Sequence, residues 1–247
     1  MALKKRNRAL DSIRKKVGKA INRYGLISGG DRVAVAISGG KDSFVLLETL
    51  CERRRSIPID YEICAVHIKV DTVPYEIDSE YFTDLCCSLN VPFHCLNVSV
   101  DLENSRLSPC FLCARRRRRE LFTFAAEQRC NRIAFGHHMD DVIETLFLNM
   151  AFQGAISTMP PKLSMFDGEF DIIRPLVLLN TYEVGRYSRE RGFPGQKKEC
   201  PYGNDSKRAE IRNMLHQMFR LNKKARHNIF HSMSNVHTGY LPNVDSD

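Results

Sequence analysis

An apolar segment that runs directly into a glycine-rich turn places the strongest constraint on the fold of this chain. Residues 32–37 have the composition of a buried strand, residues 38–43 read SGGKDS, and residues 45–50 continue with the apolar spacing of a helix. Further short apolar segments follow at 62–68, 93–98, 132–135 and 171–174. Because these segments alternate with amphipathic patterns, we predict an α/β fold. Its sheet should be doubly wound, mainly parallel and Rossmann-like, with helices on both faces.

The remaining sequence predicts helices between the strands and after the last one. They are expected at 10–24, at about 75–89, after Cys113 as far as about residue 128, and at 142–152, 181–191 and 207–220. We divide the chain into a basic N-terminal helix (1–30), a core (31–190) and a C-terminal helical segment (191–247).

The turn at 38–43 has the features of a phosphate site, because ligands of doubly wound sheets bind at the carboxyl ends of strands. Gly39 and Gly40 let the backbone approach a ligand closely. The start of the next helix favours an anion, and two serines and Lys41 add donors. Asp42 is unusual in such a turn, and magnesium on the phosphates would account for it. The competing interpretation is a tight turn with serine and aspartate as helix caps.

Composition and charge limit the classes of function. The chain has 247 residues, enough for one large core, and no apolar run approaches the roughly 20 residues that cross a bilayer. Residues 1–14 are basic but lack the apolar stretch of a signal peptide, so we expect a cytoplasmic protein. The formal net charge of +8 favours a polyanionic partner such as nucleic acid. Basic residues concentrate in 1–24 and in the five arginines 115–119.

Nine cysteines in a reducing compartment argue against a disulfide framework. Cys110 and Cys113 form a CxxC pair that we expect in a loop at the start of a basic helix, where the helix dipole and neighbouring arginines stabilise thiolates. A redox dithiol, half of a zinc site and part of an iron–sulfur site all remain open. Six other cysteines are expected to pack in the core: Cys51, Cys64, Cys86, Cys87, Cys95 and Cys130.

Acidic residues follow the segment GHHMDD (136–141). Asp141 and Glu144 have the spacing of a capping box, and Asp140 could cap equally well. Alternatively, Asp140 and Asp141 hold magnesium or position a nucleotide. One of the two histidines, which we assign as His137 rather than His138, would contact that nucleotide, and the competing interpretation is a histidine that caps the strand.

The five arginines cannot all face one way on a helix. At about 100° per residue, Arg115, Arg118 and Arg119 share one side, where they would meet solvent or RNA phosphate.

An ordered set of motifs resembles the tRNA 2-thiocytidine synthetase (TtcA) family of the PP-loop, or N-type, ATP pyrophosphatases. SGGKDS is similar to the loop with which that superfamily splits ATP into AMP and pyrophosphate. The other motifs, in order, are the CxxC at 110–113, GHHMDDVIETLFLNM at 136–150, MPPK at 159–162, IRPL at 173–176 and CP at 200–201. The resemblance runs from about residue 30 to residues 233–236.

This resemblance implies a [4Fe–4S] cluster on Cys110, Cys113 and Cys200, with one iron left open to hold a sulfide. It implies a basic catalytic residue at Arg117, whose role would be electrostatic because a guanidinium stays protonated. It also supports catalytic roles for Asp140 and Asp141.

ATP with Mg²⁺ is expected to contact the edge that holds the turn. The expected ATP-binding residues are Ala36, Ser38, Gly39, Gly40, Lys41, Asp42, Ser43, His67, Ile68, Gly136 and His137. The expected RNA-binding residues are Lys15, Lys16, Arg115, Arg116, Arg118 and Arg119.

The expected function is ATP-dependent tRNA thiolation, in which a base carbonyl, C2 of a cytidine, is adenylated and its oxygen is replaced by sulfur. The expected partners are tRNA, ATP, a sulfur donor (a cysteine desulfurase or free sulfide) and, from relatives, a second copy in a homodimer. Three alternatives stay open: thiolation of a uridine, a lysidine-type ligase that needs no cysteine site, and a zinc-containing RNA-binding protein without turnover.

Overall fold

The computed structural model describes residues 8–72, 77–101, 108–194 and 206–241. The elements in chain order are α1 (Arg8–Tyr24), β1 (Arg32–Ala36), α2 (Lys41–Ser56), β2 (Glu62–Val70), α3 (Ser79–Leu89), β3 (Phe93–Val98), α4 (Pro109–Glu127), β4 (Arg132–Ala134), α5 (Met139–Gln153), β5 (Lys162–Met165), β6 (Phe170–Ile173), α6 (Thr181–Arg191), α7 (Ser206–Leu221) and α8 (Ala225–Ser232). None of the helices in this part of the chain is long and apolar enough to cross a membrane.

The six strands form one sheet in the order β3-β2-β1-β4-β6-β5. Every pairing is parallel except that of β5 with β6. The strand order reverses between β1 and β4, and a crevice at such a switch point is where ligands of doubly wound sheets bind. The predicted fold class is therefore confirmed.

Alternate side chains of the central strand β1 enter two separate cores. Val33 and Val35 of β1 pack with apolar residues of α1, α2, α3 and α6 on one face. Ala34, between them, packs with α4 on the other face, where Phe124 is buried. Residues on a strand alternate between faces, so a buried parallel strand must be apolar at every position. Burial on both faces explains the continuous apolar composition of this segment.

Some elements differ from those predicted. The edge strand β5 was missed, because a short, mostly exposed strand has no apolar alternation. Helix α8 was missed too, since only Ala225 of it is buried. Cys110 and Cys113 were expected in a loop but are the second and fifth residues of α4, because Pro109 at the start and the Ser108 cap begin the helix earlier.

The chain divides into two compact units, Met1–Met139 with Pro160–Asp205, and Asp140–Met159 with Ser206–Asp247. This division differs from the one expected from sequence. Helix α1 belongs to the first unit because its apolar face, including Ile13 and Val17, is buried in the first core. The second unit joins most of α5 to α7 and α8.

Candidate active site

The glycine turn leaves the start of α2 without a side-chain cap. Gly39 has a φ of 86°, which favours glycine, and Gly40 precedes the helix in an extended conformation. The Ser43 hydroxyl donates to the Gly40 carbonyl at 2.7 Å, and Ser38 Oγ accepts from the Gly40 N–H at 3.3 Å. Both serines thus shape the turn, while the positive end of the α2 dipole lies at the carboxyl edge of β1.

Asp42 presents a carboxylate oxygen beside this turn. Its Oδ1 is buried, makes no hydrogen bond within the described residues, and lies 3.4 Å from Lys41 Nζ. A carboxylate oxygen is a ligand that Mg²⁺ prefers. The described residues contain no group of three or more histidine, cysteine or acidic side chains that could hold a metal ion.

Gly136, at the carboxyl end of β4, lies directly against the turn. A Cβ built on Gly136 would come within 3.1 Å of the backbone C and O of Asp42. This contact brings the ends of β1 and β4 together at the switch point of the sheet. Gly136 is therefore needed for close approach rather than for an unusual φ.

His67 is buried in β2 and bonded to the strand that leads into the turn. Its Nδ1 lies 2.8 Å from the Ile37 carbonyl oxygen, and since a carbonyl only accepts, Nδ1 carries the proton. Burial lowers the pKa of His67 to about 4, with a smaller lowering from the Arg117 charge. The imidazole is thus neutral at pH 7 and holds Ile37, the residue before Ser38, in place.

The other ATP-binding candidates occupy the same edge. Ala36 ends β1 half-buried, Ile68 is buried in β2, and His137 follows β4. The structure therefore brings together, in the first unit, all the residues expected to bind ATP. Their contact with a nucleotide stays a prediction.

Cys110 and Cys113 lie at the start of α4, where Cys110 is exposed and Cys113 is half-buried. The Ser108 side chain caps this helix by accepting from the Phe111 N–H, and the first turn contains no acidic residue. Two thiols at the positive end of a helix, followed by arginines, form a donor set that fits a thiolate-ligated cluster. Cys200 lies outside the described residues. Arg117, in the same helix, is half-buried.

Four of the six cysteines assigned to packing are buried, but Cys87 and Cys95 are exposed. The packing interpretation is wrong for these two. Cys95 lies on the edge strand β3, and Cys87 lies on α3, where Phe82, Cys86 and Leu89 are the buried residues.

Arg174 is a residue of this edge that the sequence patterns did not single out. It follows β6, is buried, and donates from Nη1 to the Pro160 carbonyl oxygen, while its Nε has no partner among the described residues. Burial, and then the charge of Arg118, lower the pKa of Arg174 to about 10. The signal in the sequence was an arginine at the carboxyl end of an apolar strand, within the IRPL motif.

In the second unit, the acids of α5 form ion pairs. Asp140 Oδ1 accepts from Arg226 Nε at 2.7 Å. Glu144 accepts from Arg212 at 2.8 and 3.0 Å, a bidentate pair, so the carboxylate expected to complete a capping box is engaged by a side chain. Asp141 is half-buried at the start of the helix.

The basic residues expected to bind RNA differ in their surroundings. Arg115, Arg118 and Arg119 line one pocket, as their helical spacing predicts. Arg116 lies 3.6 Å from Glu120.

The two neighbouring lysines of α1 also differ. Lys15 is exposed and lines a cleft of about 730 Å³ between α1 and α2. Lys16 forms an ion pair with Glu183 at 2.6 Å, so part of its role is to hold α1 on α6.

Known proteins are similar to nearly the full length of this chain. The PP-loop domain family matches residues 9–219. The tRNA-cytidine(32) 2-sulfurtransferase of Citrifermentans bemidjiense is 36% identical over 242 residues, which cover 94% of this chain and 93% of that protein. The protein of the same name from Geobacter sulfurreducens is 34% identical over 247 residues and 96% of each chain.

The fold is also similar to that of a solved thiolase. The U34-tRNA thiolase NcsA from Methanococcus maripaludis, solved with its [4Fe-4S] cluster, has a TM-score of 0.76 at 22% identity, covering 95% of this chain and 80% of that one. The resemblance carried by the motifs is confirmed. The chain belongs to the PP-loop domain family and, within it, to the family of tRNA-cytidine(32) 2-sulfurtransferases.

Proposed function

We propose that this protein is an ATP-dependent sulfurtransferase that converts a tRNA cytidine, at the position that its relatives' name gives as 32, to 2-thiocytidine. The observation that carries the proposal is the uncapped start of α2 behind Gly39 and Gly40, packed against Gly136 at the switch point of the sheet. Relatives of that activity match nearly the full length of the chain.

The first step uses the turn. The N–H groups at the start of α2 and the Lys41 ammonium bind the phosphates of ATP, and Asp42 supplies an oxygen to Mg²⁺. The C2 carbonyl oxygen of the cytidine attacks the α-phosphate, the bond to the β-phosphate oxygen breaks, and pyrophosphate leaves. Adenylation turns a poor leaving oxygen into a good one. Arg117 stabilises the negative charge that develops.

In the second step a sulfide equivalent forms a bond to C2, and AMP leaves with the former carbonyl oxygen. We propose that Cys110, Cys113 and Cys200 hold a [4Fe–4S] cluster, which supplies iron chemistry for handling sulfur when bound. Asp140 and Asp141 stay proposed residues for the nucleotide or magnesium, with one Asp140 oxygen already bonded to Arg226. The sulfur donor, a homodimer and a cytoplasmic location also stay predictions.

Product analysis tests the activity. Anaerobically purified protein is incubated with tRNA, ATP, Mg²⁺ and sulfide, and nuclease-digested tRNA is examined by mass spectrometry. We expect 2-thiocytidine together with AMP and pyrophosphate. A 2-thiouridine product would establish the uridine alternative, and an absence of ATP cleavage in the presence of tRNA would contradict the proposal.

The double variant Cys110→Ala/Cys113→Ala tests the cysteine role. It should lose iron and thiolation while it keeps ATP binding, because the turn lies on different elements from the start of α4. The matched control is Cys87→Ala/Cys95→Ala, which removes two exposed cysteines. Thiolation by protein that contains no iron would contradict the assignment of these ligands.

A further inference from the structure

A pocket of about 400 Å³ lies between α4 and the turn that follows β5. It is lined by three arginines, two phenylalanines and a threonine: Arg115, Arg118, Arg119, Phe122, Thr123 and Phe166. No carboxylate is among these residues, and all six lie in the first unit. The pocket is therefore both aromatic and cationic, and its volume is in the range of small-ligand sites.

The aromatic part of the pocket is a ring that is anchored yet exposed. Phe166 meets Phe122 in a T-shaped contact with centroids 5.8 Å apart, and meets the buried Phe170 at 5.4 Å. These contacts restrain the ring, but 58% of Phe166 remains exposed. A restrained, exposed ring is what a stacking platform requires.

The backbone holds this ring in a costly conformation. Phe166 has a φ of 50° and Asp167 a φ of 55°, both left-handed and neither a glycine. Such backbone conformations are unfavourable for residues other than glycine and persist where the surrounding structure imposes them. The hydrophobic effect would favour a buried position for the Phe166 ring, whereas the backbone of this turn keeps the ring at the surface.

The positive charges of the pocket are not neutralised by acidic side chains of the described residues. Arg115, Arg118 and Arg119 form no ion pair with any described residue, in contrast to Arg116 on the neighbouring side of α4. The charge of Arg118 also acts on the buried Arg174, whose pKa it lowers after the larger effect of burial. A bound phosphate would relieve this repulsion between cations.

We propose that this pocket binds one unpaired nucleotide of an RNA loop, with its base stacked on Phe166 and the adjacent phosphates on the arginines of α4. The inference rests on the proposed function, since it concerns how the tRNA substrate is held. Bases of a duplex stack on each other and expose no face, whereas an unstacked loop base offers a face to an aromatic side chain. The pocket would therefore select the loop rather than the stem.

The absence of tryptophan from the sequence makes a direct test possible. In Phe166→Trp the only indole lies in the pocket, so a stacked base should quench its fluorescence. We expect quenching by an RNA hairpin with an unpaired loop, and none by a blunt duplex of the same stem. The matched control is Tyr182→Trp, an exposed aromatic of α6 that does not line the pocket. Equal quenching in both variants would overturn the proposal.

Affinity for the same hairpin gives a second measurement, independent of the tryptophan variant. Phe166→Leu should weaken binding about 5- to 150-fold, the range for loss of one base stack, while Tyr182→Leu leaves it unchanged. If the unaltered chain binds the hairpin but Phe166→Leu binds equally well, the pocket assignment is wrong and the proposed function stands. If the unaltered chain does not bind the hairpin or tRNA at all, the proposed function itself fails.

Discussion

At the residue scale, the missing Cβ of Gly136 allows the segment after β4 to lie directly against the glycine turn at 38–43. In Gly136→Ala the new Cβ would lie 3.1 Å from the Asp42 backbone, which must shift by a few tenths of an ångström. We expect ATP affinity to fall about tenfold, with a loss of about 1–2 kcal/mol in the free energy of unfolding. Calorimetric titration with a non-hydrolysable ATP analogue measures the first effect.

The control for this substitution is Gly29→Ala. A methyl group added at Gly29 would have no atom within 4 Å, and the residue has no positive φ, so the ATP affinity of this variant should be unchanged. Equal losses in the two variants would show that close approach at Gly136 is unimportant.

The buried His67 predicts a specific dependence of stability on pH. Its pKa is about 4 in the folded protein and near 6.5 when unfolded, so the unfolded state takes up the proton first. The contribution of neutral His67 to the free energy of unfolding is fully present above about pH 6.5. It is lost as the pH falls toward 4, by up to roughly 3 kcal/mol. In His67→Gln this part of the pH dependence should vanish. Denaturant unfolding between pH 4 and 7 measures it, and the exposed His216 provides a control, His216→Gln, that should leave the dependence intact.

At the scale of elements, an ion pair between a buried carboxylate of α2 and a partly exposed arginine of α6 joins the two helices. Arg191 Nε lies 2.9 Å from both carboxylate oxygens of Glu48, whose side chain is 2% exposed. In Arg191→Leu the carboxylate loses its partner, and we expect a loss of about 2–3 kcal/mol in the free energy of unfolding. This is less than for a fully buried pair, because Arg191 is partly exposed and water can reach the site.

The double variant Glu48→Leu/Arg191→Leu should recover most of this loss, because it leaves no buried charge. The exposed Arg189 supplies the control, and Arg189→Leu should change stability by less than about 0.5 kcal/mol. A double variant no more stable than Arg191→Leu would show that packing, rather than charge, holds α6 in place.

At the scale of the whole molecule, the net charge of +8 predicts salt-dependent tRNA binding. The slope of log affinity against log salt should become less steep by about 0.7–0.9 for each phosphate contact removed. We expect this change for Lys15→Gln, since Lys15 is exposed in the basic cleft beside α1. Lys16→Gln should change the slope much less, because its ammonium is paired with Glu183. Fluorescence anisotropy of labelled tRNA across a salt series measures both slopes. A slope for Lys15→Gln identical to that of the unaltered protein would rule out a phosphate contact at Lys15.

Much of the fold could be predicted because local pattern and tertiary environment agree in the central strands. Residues 93–98 were predicted as a strand and form β3 with those bounds, and 181–191 form α6 as predicted. The edge strand β5 could not be predicted, since it forms by pairing with β6 and its own residues carry little apolar content.

The amino-acid sequence by itself determined the alternation of strands and helices, the glycine turn at 38–43 and the family. These features depend on the spacing of residues along the chain and on the order of its motifs. Only the tertiary structure decided that Gly136 touches Asp42, that Asp140 pairs with Arg226, and that Phe166 faces the arginines of α4. These contacts join residues far apart in the chain. Their geometry is set by how whole elements pack, and no periodicity along the chain encodes it.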